Sequence, residues 1–161
     1  MNKLRFGTWN VRTLLDDAGG MDRPRRRTAL VPYELGRFNI DIAALSETRL
    51  SGEGSLSEHG EGYTFFWRGY PPGVARMHGV AMAVKSSLLR KITDAPVYIS
   101  ERLMTLRVPL ARNEYATVVS AYAPTLSADE DTKDQFYLSL DEVLNRADRK
   151  DKIVLLGDFN A

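Results

Sequence analysis

The chain has 161 residues, of which 43% are hydrophobic and 27% charged, as in an ordinary soluble globular domain, and it is too short for two such domains. Basic and acidic residues nearly balance, 22 against 21, so the net charge of +1 gives no bulk sign of a nucleic-acid-binding protein. The absence of cysteine excludes disulfides and thiolate metal sites, and no apolar run reaches the roughly 18–20 residues of a membrane span. No signal peptide is visible, so we expect an intracellular protein with no membrane partner.

The N-terminal part of the chain predicts a strand, a helix and a second strand. Apolar residues favour a strand at residues 4–9, followed by a turn-rich loop at residues 16–20. A helix is predicted at residues 26–38, although Pro32 falls inside its apolar stripe and should kink the helix or delay its start. Residues 40–45 are predicted to form a buried strand.

The middle of the chain predicts short strands separated by turns. Residues 51–62 contain four glycines and little apolar content, which favours a mobile surface loop, and residues 70–73 are predicted to be another loop. Alternating or continuous apolar runs predict strands at residues 64–68, 79–85, 97–99, 104–108 and 117–121.

The C-terminal part predicts the clearest helix, at residues 128–147, and a last strand at residues 153–156. Ser127 is its expected N-cap, and Glu130 would complete a capping box. Its buried face should consist of Phe136, Leu140, Val143, Leu144 and Ala147. The order of elements along the whole chain predicts a mixed α/β layered fold.

Polar residues follow three of the predicted strands. Asn10, Glu47 and Asp158 each come after an apolar run, and Asn160 lies two positions beyond Asp158. Ligands usually bind at the strand ends of α/β sheets, so neighbouring strands would gather these groups in one region. Carboxylate and amide oxygens suit Mg²⁺, and a carboxylate beside that metal could activate a water for attack on a phosphate.

Each of these residues also has an ordinary structural interpretation. Asn10 and Asp158 could be turn residues, and Glu47 could cap a helix or loop. Tyr122, at the end of a predicted strand, would normally place its hydroxyl in water. The two histidines, His59 and His78, are predicted to be surface residues because they lie in loop-like segments with no partner nearby in sequence.

Arginines lie close to these candidate site residues. Arg12 and Arg49 are the candidates for contact with phosphate or DNA, and Arg5 lies near the same motifs. A separate cluster consists of Arg23, Arg25, Arg26 and Arg27. A solvated helix start is the favoured interpretation of that cluster, with phosphate contact as the alternative.

Four short motifs in sequence order carry a resemblance to a known family. They are Thr8-Trp9-Asn10-Val11, Ser46-Glu47-Thr48-Arg49, Ala121-Tyr122-Ala123-Pro124 and Gly157-Asp158-Phe159-Asn160-Ala161. Together they resemble the endonuclease/exonuclease/phosphatase family with the DNase I-like fold. The nearest branch is the apurinic-endonuclease-like domain of non-LTR (LINE-type) retrotransposons and of craniofacial development protein 2-like proteins. The resemblance covers essentially the whole chain as one domain, residues 1–161.

The resemblance implies a role for each matching residue. Glu47 would be the principal ligand of Mg²⁺ (or Mn²⁺), with Asn10 bound into the same metal site. Tyr122 would contact the scissile phosphate, Asp158 would activate the attacking water, and Asn160 would hold a phosphate oxygen. The implied activity is Mg²⁺-dependent nicking of DNA, which requires access to the nucleus. A reverse transcriptase downstream in the full element is an implied partner.

The resemblance also implies a further segment with a terminal Ser-Asp-His beyond Gly157-Asp158-Phe159-Asn160. We therefore expect an α/β/β/α sandwich truncated to about its N-terminal half to two-thirds, with weak or no activity. These residues are expected to supply one of the two sheets, so that its inner face is uncovered and prone to self-association. Two other interpretations stay open: a non-catalytic retroelement remnant acting as an interaction module, and a phosphatase of the same fold.

Overall fold

The computed structural model describes residues 3–16, 27–60, 62–75 and 77–160. Nine strands and three helices occur in this part of the chain. In chain order they are β1 (Phe6–Asn10), α1 (Arg27–Arg37), β2 (Ile42–Ser46), β3 (Glu53–Glu58), β4 (Tyr63–Arg68), β5 (Val80–Lys85), α2 (Ser86–Leu89), β6 (Val97–Ser100), β7 (Leu103–Pro109), β8 (Tyr115–Tyr122), α3 (Glu130–Arg146) and β9 (Lys152–Asp158). Most of the predicted turn-rich loop and the arginines at positions 23, 25 and 26 lie outside the described residues.

The strands form two sheets. The first sheet has the order β1-β2-β5-β4-β3, and the second has the order β6-β7-β8-β9. Each sheet contains one parallel pair, β1 with β2 and β8 with β9, and its other pairs are antiparallel. In each parallel pair the carboxyl ends of the two strands lie at the same edge of the sheet, so the residues that follow these strands become neighbours.

A continuous apolar core lies between the two sheets. The first sheet contributes Ile42, Val80, Met82 and Val84, and the second contributes Met104, Leu106, Val108, Ala116, Val118 and Tyr122. The expectation that this chain supplies one sheet with an uncovered inner face is therefore wrong. Both sheets form within the chain because β6 to β9 fold back over the first sheet and bury its alternating inward side chains.

One helix covers the outer face of each sheet. In α1, Val31 and Leu35 pack on Ala43 and Leu45 of the first sheet. In α3, Phe136 and Leu140 pack on the second sheet beside Leu103, Val119 and Ala121. The predicted α/β/β/α sandwich is confirmed, with the layers in that order. Among the described residues, no helix is long and apolar enough to cross a membrane.

Pro32 lies inside α1 and is buried against the first sheet. The structure describes the helix from Arg27, and it continues past Pro32 to Arg37; the predicted first residue, at position 26, lies outside the described residues. Its first turn is held from outside, because Oδ1 of Asp16 accepts a hydrogen bond from the Arg27 backbone N–H at 3.0 Å. A side-chain acceptor at this position satisfies one of the free N–H groups that every helix start exposes.

The predicted mobile loop at residues 51–62 is wrong for most of its length. Residues Glu53–Glu58 form β3, which pairs antiparallel with β4 at the edge of the first sheet. An edge strand exposed to solvent needs few apolar residues, which is why composition gave no strand signal. Glycine at position 54 leaves room for the Trp67 ring on the neighbouring strand, because a Cβ at that position would stand 2.6 Å from Cζ2 of Trp67.

Helix α3 begins two residues later than the predicted Ala128. Asp129 is the N-cap instead of Ser127, and its Oδ1 accepts a hydrogen bond from the Thr132 backbone N–H at 2.7 Å. The hydrogen bonds from Thr132 lower the pKa of the Asp129 carboxyl. The aspartate is the stronger cap here because its negative charge also interacts favourably with the positive end of the helix dipole.

Candidate active site at the strand ends

The topology brings the candidate residues together. Asn10 ends β1 in register with Ser46, so the residue after Ser46, Glu47, emerges beside it. Tyr122 ends β8 directly opposite Asp158, the last residue of β9. The two sheets face each other, and a side-chain hydrogen bond from Asn10 to Asp158 joins their edges. Four of the predicted site residues therefore meet at one end of the sandwich.

Asn10 connects the two carboxylates of the site. Its Nδ2 donates a hydrogen bond to Oε1 of Glu47 at 2.8 Å and another to Oδ2 of Asp158 at 3.1 Å. Its Oδ1 accepts from the backbone N–H of Arg12 at 3.0 Å. The amide nitrogen of Asn10 thus faces the carboxylates of Glu47 and Asp158, and its amide oxygen faces the backbone of Arg12. One amide group holds two anionic oxygens close together, an arrangement that like charges would oppose without a donor between them.

Tyr122 fixes the Glu47 carboxylate from a second direction. Its hydroxyl donates to Oε1 of Glu47 at 3.2 Å, and the residue is 5% exposed. Burial raises the pKa of Tyr122, and the negative charge of Glu47 raises it further. The phenol therefore stays protonated and remains a donor at neutral pH. Among the described residues no hydrogen bond reaches Oε2 of Glu47, which lies 4.0 Å from Nη2 of Arg49.

The backbone around Asp158 fixes the direction of its carboxylate. Oδ1 accepts from the Asn160 backbone N–H at 3.0 Å, while Oδ2 accepts from Asn10. Asn160 in turn donates through Nδ2 to the carbonyl oxygen of Ala123 at 2.6 Å. Gly157, just before Asp158, has no room for a side chain, since a Cβ would stand 1.9 Å from the carbonyl oxygen of Ala121. Both oxygens of Asp158 are consequently held in one orientation.

Left-handed backbone conformations concentrate at this site. Positive φ angles occur at Arg12 (58°), Glu47 (55°), Arg49 (57°) and Asn160 (47°). For a residue other than glycine or asparagine, this conformation costs about 1–2 kcal/mol. The conformational cost at Glu47 and Arg49 is offset by two tertiary hydrogen bonds, from Thr48 N–H to Gly79 O at 3.3 Å and from Arg49 N–H to His78 O at 2.9 Å. Strain of this kind is characteristic of functional sites.

The two predicted phosphate-binding arginines lie at the rim of the site. Arg12 and Arg49 are exposed, and each follows a site residue with one residue between: Arg12 follows Asn10, and Arg49 follows Glu47. The side chain of Arg49 is 45% exposed and pairs only loosely with Glu47 at 4.0 Å. The Arg49 guanidinium is thus accessible to an anionic ligand approaching the carboxylates, and Arg12 is exposed with its backbone N–H bonded to Asn10.

Three residues of this region were missed by the sequence analysis: Tyr70, His78 and Arg102. The prediction of His78 as a surface residue is wrong, since its ring packs beside both tyrosines, Tyr70 and Tyr122, with ring centroids 5.7 Å apart in each case. The position of His78 could have been inferred only from the sheet topology. Because β5 runs antiparallel to β2, the residue that precedes β5 must lie beside the loop that follows β2. His59 is exposed, as predicted.

The donor set at the site fits Mg²⁺. In the part of the chain that the structure describes, three or more His, Asp or Glu side chains do not converge as a metal-binding cluster. The site offers the carboxylates of Glu47 and Asp158 and no thiolate, and Nε2 of the nearby His78 lies 3.2 Å from Nη2 of Arg102, so the ligands that zinc would prefer are not presented. Mg²⁺ is commonly bound by one or two carboxylates while it keeps several waters. Glu47, whose Oε2 accepts no hydrogen bond among the described residues, is the residue that could hold this ion.

Comparison with known proteins agrees with this architecture. Residues 7–161 match the model of the endonuclease/exonuclease/phosphatase family. Craniofacial development protein 2 of Tragulus javanicus and of Bos taurus are each 30% identical over 156 residues, or 97% of this chain. The chain spans about a quarter of the length of these relatives, 25% and 24%.

A solved structure shares the fold. The crystal structure of humanized D. rerio TDP2 carrying 14 mutations superimposes with a TM-score of 0.58 over 96% of this chain and 65% of its own. The identity of 13% limits this comparison to the fold itself.

Proposed function

Because the chain belongs to the endonuclease/exonuclease/phosphatase family, we propose that its strand-end site hydrolyses phosphodiesters of DNA with Mg²⁺, or Mn²⁺ in its place. The observation that carries this proposal is the contact of Asn10 with both Glu47 and Asp158, which holds two carboxylates side by side at one end of the sandwich. Such a pair suits the binding of one hard cation and the activation of one water molecule.

In this proposal Glu47 is the metal ligand. Asn10 and Tyr122 both donate to its Oε1, which restrains the carboxylate, while Oε2 accepts no hydrogen bond among the described residues and is available to a cation. Bound Mg²⁺ would neutralise charge on the phosphate and polarise its oxygens. Partners that orient a ligand in this way commonly affect metal affinity or activity by about 10- to 100-fold.

Asp158 is the proposed general base. The water oxygen forms a bond to phosphorus, the P–O bond to the leaving sugar oxygen breaks, Asp158 takes the proton of the attacking water, and the leaving oxygen takes a proton from solvent. Its two oxygens are oriented by Asn10 and by the Asn160 backbone N–H, so the group is positioned before substrate arrives. Tyr122 and Asn160 are proposed to contact the reacting phosphate, and Arg12 and Arg49 to hold flanking phosphates.

DNA is the proposed substrate for two reasons. The four site motifs resemble the branch of the family carried by non-LTR retrotransposons, and two accessible arginines flank the carboxylates. Access to the nucleus and a reverse transcriptase downstream in the full element belong to the same proposal. The net charge of +1 leaves open a second candidate, a phosphatase that acts on a small phosphorylated molecule, because such a substrate needs no extended basic surface.

A nicking assay tests the proposal. Supercoiled plasmid is incubated with the full chain over a range of Mg²⁺ concentrations, and with the Glu47→Ala and Asp158→Ala variants. In keeping with the low activity expected from the sequence, we propose at most weak Mg²⁺-dependent conversion to open circles, which EDTA and both substitutions abolish. Asp134→Ala, which removes an exposed carboxylate of α3, is the matched control and should leave nicking unchanged.

The other functions predict different results in the same experiment. Release of phosphate from a small monoester without plasmid nicking would replace the nuclease by the phosphatase. No reaction on either substrate, with a folded chain, would favour the non-catalytic interaction module.

A further inference from the structure

The Tyr122 ring has neighbours on two sides that the proposed reaction does not itself use. His78 lies beside the ring, with centroids 5.7 Å apart and an angle of 59° between the planes. The guanidinium carbon of Arg102 lies 5.2 Å from the ring centroid, within the range of a cation–π contact. Both residues therefore limit where the Tyr122 hydroxyl can point.

Arg102 also fixes the Tyr122 backbone. Its Nη1 donates to the carbonyl oxygen of Tyr122 at 3.1 Å, and its own carbonyl oxygen accepts from the Tyr122 N–H at 2.9 Å. The main chain of Tyr122 is thus hydrogen-bonded to one residue on both its donor and its acceptor. An arginine that served only solubility would have no reason to make this set of contacts.

His78 and Arg102 are joined to each other. Nη2 of Arg102 lies 3.2 Å from Nε2 of His78. Because a guanidinium can only donate, Nε2 must accept, and the imidazole is neutral with its proton on Nδ1. Burial and the positive charge of Arg102 lower the pKa of His78, in agreement with this arrangement. The other ionisable groups that act on His78 are Glu101, Glu47 and Arg49.

The same segment supports Glu47 through its backbone. The carbonyl oxygens of His78 and Gly79 accept from the N–H groups of Arg49 and Thr48, the two residues that follow Glu47. A Cβ on Gly79 would stand 2.5 Å from Oγ1 of Thr48, so this approach requires glycine. Both partners of the hydrogen bond between Tyr122 and Glu47 are consequently held against residues 78–79.

We propose that His78 and Arg102 are positioning residues that act as one unit, holding the Tyr122 hydroxyl on the Glu47 carboxylate. Their effect on catalysis rests on the proposed function, whereas their effect on the Tyr122–Glu47 hydrogen bond does not. The simpler alternative is that His78 only fills space between Tyr70 and Tyr122. Phenylalanine would fill that space better, because Nδ1 of His78 is buried with no hydrogen-bond partner among the described residues.

Tyrosine NMR separates the two explanations. The full chain is labelled with [¹³C]tyrosine, and Tyr122→Phe identifies the Tyr122 signals. We expect His78→Ala and Arg102→Met to move the Tyr122 Cζ signal toward that of the exposed Tyr137. We expect His78→Phe to fold as stably as the wild type and yet move the same signal, since it leaves Nη2 of Arg102 without its acceptor. His59→Ala and Arg149→Met, at exposed positions, are the matched controls and should leave the signal in place.

Kinetics supply the second readout. On a phosphodiester substrate with Mg²⁺, the three variants should lower kcat by about 10-fold or more and change KM little. The proposal would be overturned in favour of packing alone if the Tyr122 signal stayed at its wild-type position in Arg102→Met or in His78→Phe. Absence of hydrolysis by the wild-type chain would overturn the proposed function, while the NMR result would still decide whether His78 and Arg102 position Tyr122.

Discussion

Asn10 and Asp158 are 148 positions apart in the chain, yet Nδ2 of Asn10 donates to Oδ2 of Asp158 at 3.1 Å. The contact joins the edge strand of the first sheet to the edge strand of the second, so the two halves of the sandwich meet at this amide. The site is consequently a product of the whole fold, since it exists only when both sheets have formed and packed.

The Asn10 amide should be required for metal binding. In Asn10→Ala, the Glu47 and Asp158 carboxylates lose their shared donor and repel each other. We expect the affinity for Mg²⁺ to fall by about 10- to 100-fold, measured by competition with Mn²⁺ in electron paramagnetic resonance. Asn145→Ala removes a comparable amide-to-carboxylate contact on α3, from Asn145 to Asp141 at 3.0 Å, and should leave the affinity unchanged.

Asp158 should affect the rate of reaction more than the binding of substrate. Asp158→Asn keeps the shape of the side chain but removes the proposed general base. We expect kcat to fall by about 10²- to 10⁴-fold with a small change in KM, measured by steady-state kinetics on a phosphodiester. Asp141→Asn, at an exposed position of α3, is the control. A rise in KM with unchanged kcat would assign Asp158 to substrate binding.

Gly157 should tolerate no side chain. In Gly157→Ala the new methyl group would lie 1.9 Å from the Ala121 carbonyl oxygen, so β8 and β9 must separate locally. We expect a loss of about 1–3 kcal/mol in the free energy of unfolding, measured in urea. Activity should fall as well, because Asp158 moves with the strand. Gly60→Ala adds the same group in open space and should change stability little.

Asp151 should make the fold sensitive to acid at a distance from the site. Its side chain, 1% exposed, accepts hydrogen bonds from Nε and Nη2 of Arg107 at 2.8 and 2.9 Å and from the Thr117 hydroxyl at 2.9 Å. The hydrogen bonds from Arg107 are the main reason that the pKa of Asp151 lies below its ordinary value of 3.8. The folded state therefore binds the proton less readily than the unfolded state does.

The direction of the Asp151 pKa shift determines the pH range in which this side chain stabilises the fold. The stability contributed by Asp151 is fully present above pH 3.8 and is lost as the pH falls through the lowered pKa of the folded state. We expect urea denaturation of Asp151→Asn to show lower stability than the wild type at pH 6 and a smaller difference near pH 3. An equal difference at both pH values would contradict this assignment.

Local patterns predicted much of the layered fold and could not predict two parts of it. Buried strands such as β5 and the helix α3 are indicated by continuous or periodic apolar residues. β3 does not, because an exposed edge strand is specified by its partner β4 and not by its own composition. The presence of both sheets in one chain was also missed, because the way that sheets pair is a long-range property.

The site was predictable where a residue directly follows a strand. Asn10, Glu47 and Asp158 were identified in this way, whereas Tyr122 was singled out only by the family resemblance, and the structure brings all four together. His78 and Arg102 were not, because both contact Tyr122 from positions distant in sequence, Arg102 from the start of the neighbouring strand of the same sheet and His78 from the other sheet. Their contacts depend on antiparallel register and turn geometry, which no short motif encodes.

Titration of Mg²⁺ into the full chain and its Glu47→Gln variant, followed by isothermal calorimetry, tests the central claim most directly. The claim is that Asn10, Glu47 and Asp158 form one hard-metal site. It predicts that one Mg²⁺ binds per chain and that Glu47→Gln, which keeps the size of the side chain, weakens binding by more than about 100-fold. Equal Mg²⁺ binding by the two proteins, or no binding by the wild type, would contradict it.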